Sequence, residues 1–567
     1  MKRRQVIRQN IIELVLTLLI VVCISIISSF VYTRFDLTAE KRYTLSDETK
    51  KLLSNIDDII YVKVYLEGDL PSGFRRLKDA TKELLDEFRI YSDYLEYEFI
   101  DPSESSDAKT RNDIYRELHK KGIIPTPLEV KDETGKISNQ VIFPGALIRF
   151  RGREIALDLL SNKQDVSTEQ SLNSCIENLE YGFTNTIRKL NTKMQQSVAF
   201  IEGHGEFDFY HVADITKTLM EYYIVKRVRI DGDMNSLKDY NAIIIAGPDS
   251  AFTEGDKFII DQFIMKGGKA LWLVDAVKVS WDSLESSRST VALMNRTNLD
   301  DQLFKYGVRI NPDLIQDFQC AMIPMNTAFA GAPPQFKPHP WYYFPVILPK
   351  QKHPIVKNLD ILKAEFVSTV DTVGNDPDIK KTFLLYSSNY SKVVRAPARI
   401  GLELAIQKPG PKYFSKPRQP IAVLLEGKFK SVFTNRILPV SRKGQEIETY
   451  DISKPTKMIV VSDGDIIKNY VINTDGEPYP YPLGADRWYK QAFYGGNKQF
   501  LLNAVNYLCD DSGLMSLRAR EIKLRLLNKQ KIFEQRTKWQ IINTLIPVLF
   551  IIIFGLVIMM VRKRRYC

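Results

Sequence analysis

The densest run of reactive side chains in the 567 residues is Glu202-Gly203-His204-Gly205-Glu206, followed by Asp208 and His211. An imidazole flanked by carboxylates can move protons or hold a metal ion. The two glycines permit the positive φ angles of a tight turn. Three protein ligands at a catalytic metal spacing are not evident. The expected role is therefore plainer: a turn whose side chains cap the next helix. Asp463-Gly464-Asp465 poses the same choice, with Asn469 expected inside the helix that follows. Two carboxylates at a strand end can bind a cation, and capping is again expected. A third candidate is the ring cluster Trp341, Tyr342, Tyr343 and Phe344. It suits a partner surface, because aromatic residues are enriched in interface cores, or packing within its own domain.

Several chemistries are missing from the sequence. There is no G-x-x-x-x-G-K-[ST] loop, no G-x-S-x-G elbow, no H-E-x-x-H helix and no Cys/His cluster. ATP binding through a phosphate loop is excluded, and neither a cofactor nor a metal is indicated. The five cysteines have no framework spacing. Ordinary thiols are expected, with a Cys175–Cys320 or Cys320–Cys509 bridge as the alternative.

The elements that must position these residues follow from hydrophobic period. Residues 59–66 read as a strand, 74–91 as a helix, 95–100 as a strand and 108–121 as a helix. Residues 141–150 and 153–160 read as a strand pair around Arg151-Gly152. This β-α-β-α-β-β order suggests a small thioredoxin-like α/β layer, without the Cys-x-x-Cys of a redox enzyme. A helical connector over 169–190 leads to a second pattern. Strands at 197–202, 224–230, 242–246 and 270–274 alternate with helices at 211–222 and 254–266. Short β-branched runs between helices imply a parallel, doubly wound sheet. Segment 333–349 holds six prolines and five aromatics, so it must be loop or extended chain. Strands at 383–387, 421–426 and 458–462 and a helix at 497–509 follow. A basic helix is expected over 514–539, with apolar stripes of Ile522, Leu526 and Phe533 and of Leu514, Leu517, Leu524 and Ile532.

Apolar runs at 11–32 and 541–561 are each about the 20 residues a membrane-crossing helix needs. Lys2, Arg3, Arg4 and Arg8 lie outside the first, and Arg562, Lys563, Arg564 and Arg565 outside the second. Basic flanks are retained in the cytoplasm, so both tails are expected there and the intervening region in the periplasm. The first run is too long for a usual signal core and lacks a clean cleavage site, so an uncleaved anchor is expected. The net charge is +11, but 1–33 contribute +3, 518–538 contribute +6 and 562–567 contribute +4. The remaining residues total −2, which argues against a nucleic-acid footprint.

A set of ordered landmarks then carries a resemblance. They are RFDLTAEKRYTL at 34–45, FIEGHGE at 200–206, IIIAGP at 243–248, GGKALWLVD at 267–275, VVSDGD at 460–465 and PLGADRW at 482–488. Together they resemble the gliding-motility-associated ABC-transporter auxiliary proteins of Bacteroidetes, the GldG family. The resemblance implies a non-catalytic subunit beside a multi-span ABC permease and a separate cytoplasmic ATPase, on the bacterial inner membrane. It also implies a second domain similar to a module of intraflagellar-transport proteins and, distantly, to glutamine-amidotransferase-like folds. Here Val274, Asp275 and Ala276 occupy the turn where such amidotransferases carry a cysteine, so that chemistry is not expected.

The resulting organisation is a tail over 1–10, a span over 11–33 and a small α/β domain with connector over 34–190. A doubly wound (amidotransferase-like or flavodoxin-like) domain with insertions covers 191–512. A basic juxtamembrane helix covers 513–538, a second span 539–561 and a tail 562–567. The candidate ligand or partner surface comprises Glu202, His204, Glu206, Asp463, Asp465, Trp341 and Tyr342. Two other readings remain open: an envelope enzyme using the Glu202–Glu206 turn, and a ligand-free scaffold.

Overall fold

The computed structural model describes residues 11–12, 14–25, 44–131, 137–160, 168–191, 196–329, 333–407, 409–439, 449–474, 476–489, 492–510, 513–519 and 529–566. They form a mixed α/β body and, as a separate unit, the C-terminal helix.

The body begins with helix α1 (Asp47–Ser54) and strand β1 (Ile60–Val64). Alternation in β1 buries Ile60, Val62 and Val64 on one face, the two-residue period of a half-covered strand. Helix α2 (Ser72–Tyr91) carries β1 over to the parallel strand β2 (Leu95–Phe99). A parallel pair needs such a crossover. Phe74, Leu77, Leu85 and Phe88 line the helix's buried face. After helix α3 (Ala108–Lys120) come strands β3 (Thr126–Lys131), β4 (Ile137–Ile142), β5 (Gly145–Phe150) and β6 (Arg153–Asp158). The sheet order is β2-β1-β5-β6, with β5 and β6 antiparallel.

One strand read from the sequence splits. Residues 141–150 end β4, turn, and start β5. Pro144 lies at the break and has no N–H for a ladder, and the Gly145 N–H bonds the Phe143 carbonyl instead. The β3–β4 hairpin was not expected. Helix α4 (Thr168–Asn191) then packs along the small layer, and its Glu180 accepts from the Ser46 N–H and the Thr49 hydroxyl.

The larger sheet holds β7 (Ser197–Glu202), β8 (Ile224–Arg229), β9 (Ala242–Ala246) and β10 (Lys269–Leu273). Helices α5 (Ala213–Met220) and α6 (Glu254–Met265) connect them. Within the helix expected at 211–222, Tyr210–Val212 forms a 3₁₀ turn ahead of α5. All five residues of β9 are buried, because both faces of the sheet are covered. In β7, Val198 and Phe200 join one core with Leu219 and Phe500, while Ala199 and Ile201 join another with Ile259 and Ile264. Each such buried Val, Leu, Ile or Phe side chain contributes about 1.5–3 kcal/mol.

The aromatic segment is extended, as proline requires. Strand β11 (Cys320–Asn326) pairs antiparallel with β12 (Phe336–Ile347). The rings of Trp341 to Phe344 point inward: Trp341 and Tyr342 are 0% and 2% exposed. Trp341, Tyr343 and Phe344 pack with Trp281, Phe366 and Trp488, at centroid distances such as 5.1 Å for Trp281–Trp488 and 5.2 Å for Phe344–Phe366. Trp341 thus joins this core and Tyr342 packs on Phe414 at 5.2 Å, so neither ring, proposed from the sequence as a candidate partner surface, is exposed. Burying this much ring area outweighs any gain from leaving it in water.

Strands β13 (Ile379–Tyr386), β14 (Pro420–Gly427) and β15 (Thr456–Val461) complete the sheet, in the order β13-β14-β15-β10-β9-β7-β8. β15, β10, β9, β7 and β8 are mutually parallel, and β14 is antiparallel to its neighbours. Helix α7 (Gly496–Cys509) covers one face. Cys23, Cys175, Cys320 and Cys509 are not joined in disulfides, so neither considered bridge forms. Burial pushes the Cys320 thiol up to about 12.

The basic segment differs from the single helix expected. Leu514–Ala519 is a 3₁₀ turn, with Leu514, Met515 and Leu517 buried against the body. Ile522, Leu524 and Leu526 lie outside the described residues. Helix α8 (Lys529–Tyr566) forms its own unit, and its stretch Lys531–Val561 is long and apolar enough to cross a membrane. Of the first expected span, Leu14–Ser25 is a shorter apolar helix, and 26–33 lie outside the described residues.

Candidate functional site

Chain order places the Glu202–Glu206 turn where ligands commonly bind. β7 connects to β8 on one side, while β9 and β10 lie on the other. The strand order therefore reverses between β7 and β9, and the crevice beyond such strand ends is the usual ligand position. Here the protein itself fills it. Gly203 and Gly205 take φ of +122° and +77°. A Cβ on Gly205 would lie 1.8 Å from Asp249 Oδ1, and one on Gly247 2.5 Å from the Phe207 ring. The His204 carbonyl accepts from the Asp249 and Ser250 N–H groups at 3.0 and 2.9 Å.

His204 is 5% exposed. Its Nδ1 lies 3.1 Å from Glu206 Oε1 and its Nε2 3.2 Å from Asp256 Oδ2. Its ring stacks on Phe252, with centroids 3.6 Å apart and planes 12° from parallel. Burial pushes the imidazole down, but the bonds to Asp256 and Glu206 outweigh it and raise the ring to about 9. A protonated ring donates from both nitrogens and keeps no lone pair for a proton or a metal. Asp256 also accepts from the Thr253 hydroxyl and the Gly232 N–H. Thr253 is the N-cap of α6, so His204 clamps the first turn of that helix onto the end of β7. Glu206 Oε2 accepts the His204 N–H at 2.7 Å, and Glu202 pairs with Arg227. Capping of the next turn falls to Asp208, which accepts the His211 N–H at 3.0 Å.

The second candidate is larger than Asp463 and Asp465 alone. Leu273 of β10 lies opposite Val461 of β15, so Asp275 and Asp463 emerge side by side from adjacent parallel strands. Asp275 Oδ1 accepts the Gly464 N–H at 2.8 Å. Asp463 Oδ2 accepts the Glu365 N–H at 3.0 Å, and its Oδ1 is buried without a hydrogen-bond partner among the described residues. Asp465 binds Lys468 at 2.8 Å, and Glu365 binds Lys363 at 2.9 Å. Lys363 also lies 3.5 Å from Asp486 and over the Phe344 and Tyr494 rings.

Burial, and then the Asp465 charge, raise Asp275 to about 8. Burial, Asp275 and Asp465 hold Asp463 well above the usual carboxylate range. Burial pushes Glu365 up, and Lys363 more than reverses it. Asp463 does not cap a helix as expected. Gly464 precedes the 3₁₀ turn Asp465–Ile467, and Asn469 lies beyond that turn. Asp275 and Glu365 were missed in the sequence. Asp275 had a signal, since two buried parallel runs each end in an aspartate; Glu365 had none. No group of three or more His, Cys, Asp or Glu is placed to hold a metal ion among the described residues.

Residues 195–504 match the model of a family of transport-system auxiliary proteins, described as "ABC-type uncharacterized transport system". Residues 39–149 match a domain family of unknown function. A protein of Borreliella burgdorferi described as uncharacterized is 23% identical over 582 aligned positions, covering 98% of each chain. The solved N-terminal domain of mmIFT52 is 12% identical, covering 56% of this chain and 99% of its own, with a TM-score of 0.32.

Proposed function

Because the chain belongs to the auxiliary-protein family described as ABC-type uncharacterized transport system, we propose that it is a non-catalytic, membrane-anchored subunit of an ABC transporter. The observation that carries this is the family match over the doubly wound region, in a chain that also holds the apolar helix Lys531–Val561. A transporter's energy comes from ATP, and this sequence has no phosphate loop. The subunit therefore works beside a multi-span permease and a separate cytoplasmic ATPase. Solubilised in mild detergent and captured through a tag, it should recover both. Recovery of neither, in repeated preparations from native cells, removes the proposal.

The finer reading adds two spans, cytoplasmic tails, and periplasmic domains over 34–190 and 191–512. The basic flanks of both apolar runs support it. Protease added to intact spheroplasts should cut within the domains and spare tags at both termini; clipped termini and an intact body would invert the topology. A gliding-motility setting rests on the sequence resemblance alone, and a deletion strain that still glides removes it. Chemistry at the Glu202–Glu206 turn is disfavoured, because His204 and Glu206 are enclosed by their own partners.

A further inference from the structure

The ends of β10 and β15 hold more carboxylate than the protein neutralises. Asp275 and Asp463 leave these adjacent parallel strands side by side, and Asp465 follows. Asp463 is 0% exposed. Asp275 and Asp465 are half-buried, so the group reaches solvent at its outer edge. Lys468 takes Asp465 and Lys363 takes Glu365, at 2.8 and 2.9 Å. No lysine or arginine pairs with Asp275 or Asp463 among the described residues.

Each inner carboxylate has one oxygen committed to the backbone and one left over. Asp275 Oδ1 accepts the Gly464 N–H, and Asp463 Oδ2 the Glu365 N–H. Asp463 Oδ1 is buried with no hydrogen-bond partner among the described residues. The charges acting on it are those of Asp275, Asp465 and Glu365, so it belongs to the interior of this group. A buried acceptor left bare is costly, and its retention calls for a donor. The backbone presses closely on the pair. A Cβ on Gly464 would collide with Asp275 Oδ2 and lie 2.8 Å from the Gly247 Cα. Burial and like charge together keep protons on Asp275 and Asp463, because the protein supplies neither with a cation.

The leftover oxygens define the donor. One remains on each of Asp275, Asp463 and Asp465, since Lys468 uses only Oδ1 of the last. A guanidinium pairs with both oxygens of one carboxylate and suits this arrangement poorly. An ammonium is a compact charge with three rotatable donors, matching single oxygens on separate residues. The acids do not converge as metal ligands would, among the described residues. Lys468 and Lys363 show that an ammonium is accepted on the outer acids of the same group. We infer that Asp275, Asp463 and Asp465 form a binding site for a primary ammonium group, carried by a lysyl side chain of a polypeptide or by a free small amine. The site rests on strand-end geometry and does not depend on the transporter assignment.

The test uses the detergent-solubilised full chain and isothermal titration at pH 8 with three probes. They are n-butylamine, an acetylated and amidated Gly-Lys-Gly peptide, and the same peptide with trimethyl-lysine, which keeps the charge and loses the N–H donors. Saturable binding of butylamine or the lysine peptide is expected, at least about tenfold tighter than the trimethyl-lysine peptide. Tighter binding of the lysine peptide identifies a polypeptide source, and equal or tighter binding of butylamine a free amine. The bound acids must release their protons, whereas an alkyl ammonium stays charged up to pH 8. Affinity should therefore rise at least about tenfold from pH 6 to pH 8. Asp275→Asn keeps the acceptor for the Gly464 N–H and should lose about tenfold in affinity. No saturable binding of either primary amine overturns the inference and leaves a proton shared between the two inner acids as the whole use of the cluster. Equal binding of trimethyl-lysine, an affinity that does not rise with pH, or an unchanged affinity in the variant overturns it as well. The trimethyl-lysine comparison needs no mutation, so a misfolded variant leaves the inference open to refutation.

Discussion

His204→Ala is expected to lower the stability of the main body by about 3–5 kcal/mol, the usual cost of removing one partner from a buried charge pair. The variant strands Glu206 and Asp256 without their shared donor and empties the space under Phe252. The effect should depend on pH with a definite sign. The ring is raised from 6.5 to about 9 in the folded protein. Its protonation therefore stabilises fully below pH 6.5, and that stabilisation disappears as pH rises through about 9. A shift of this size corresponds to about 3 kcal/mol. The gap in unfolding midpoint between wild type and variant should be wide at pH 6 and narrow by pH 10. A gap that stays constant over that range would mean the ring is neutral and the clamp is only steric.

Asp275→Asn should act in the opposite direction. The native carboxyl is raised to about 8 by burial and by Asp465. A raised acid stabilises the fold most below its unfolded value, and that contribution is lost as pH climbs through about 8. At pH 7.5 the native carboxyl still mostly holds its proton, a cost the unfolded chain, ionised above about 3.8, does not bear. Asparagine keeps the acceptor for the Gly464 N–H and removes the ionisable group. A gain of about 1–3 kcal/mol is expected near pH 7.5, scaled down from the full shift because neighbouring acids share protons. No gain is expected at pH 4 or below, where the native acid is already neutral. A variant less stable than wild type at pH 7.5 would show that Asp275 is ionised and paired. A fold that tolerates this cost beside Asp463 resembles sites where carboxylates are held for use rather than for stability.

The elements were legible where local pattern alone decides them. Ala242–Ala246 reads as a buried strand because five small or branched apolar residues between turn signals fit little else. The same holds for α2, whose apolar residues recur at helical spacing. The errors fell where one residue or a distant partner overrides the pattern. Pro144 split a run that otherwise alternates well. Leu514–Ala519, the start of the expected basic helix, is a 3₁₀ turn with Leu514 and Leu517 buried.

The sites divide in the same way. Glu202 to Glu206 could be picked out by residue type and by its place after a strand, but not the use made of it. The partner that fixes His204 is Asp256, 52 residues away. Asp463 and Asp465 were visible, whereas Asp275 and Glu365 reach them only through strand pairing and loop return. Trp341 and Tyr342 looked equally fit for a surface or a core; in the fold Trp341 is buried with Trp281, Phe366 and Trp488, and Tyr342 against Phe414. The sequence by itself determined the α/β alternation, the apolar C-terminal helix, the missing phosphate loop and the charged flanks, because period, length and motif are properties of neighbouring residues. Only the tertiary structure decided which carboxylates lie buried together and which histidine is locked. Burial and electrostatic coupling act across space, between residues that the chain order keeps far apart.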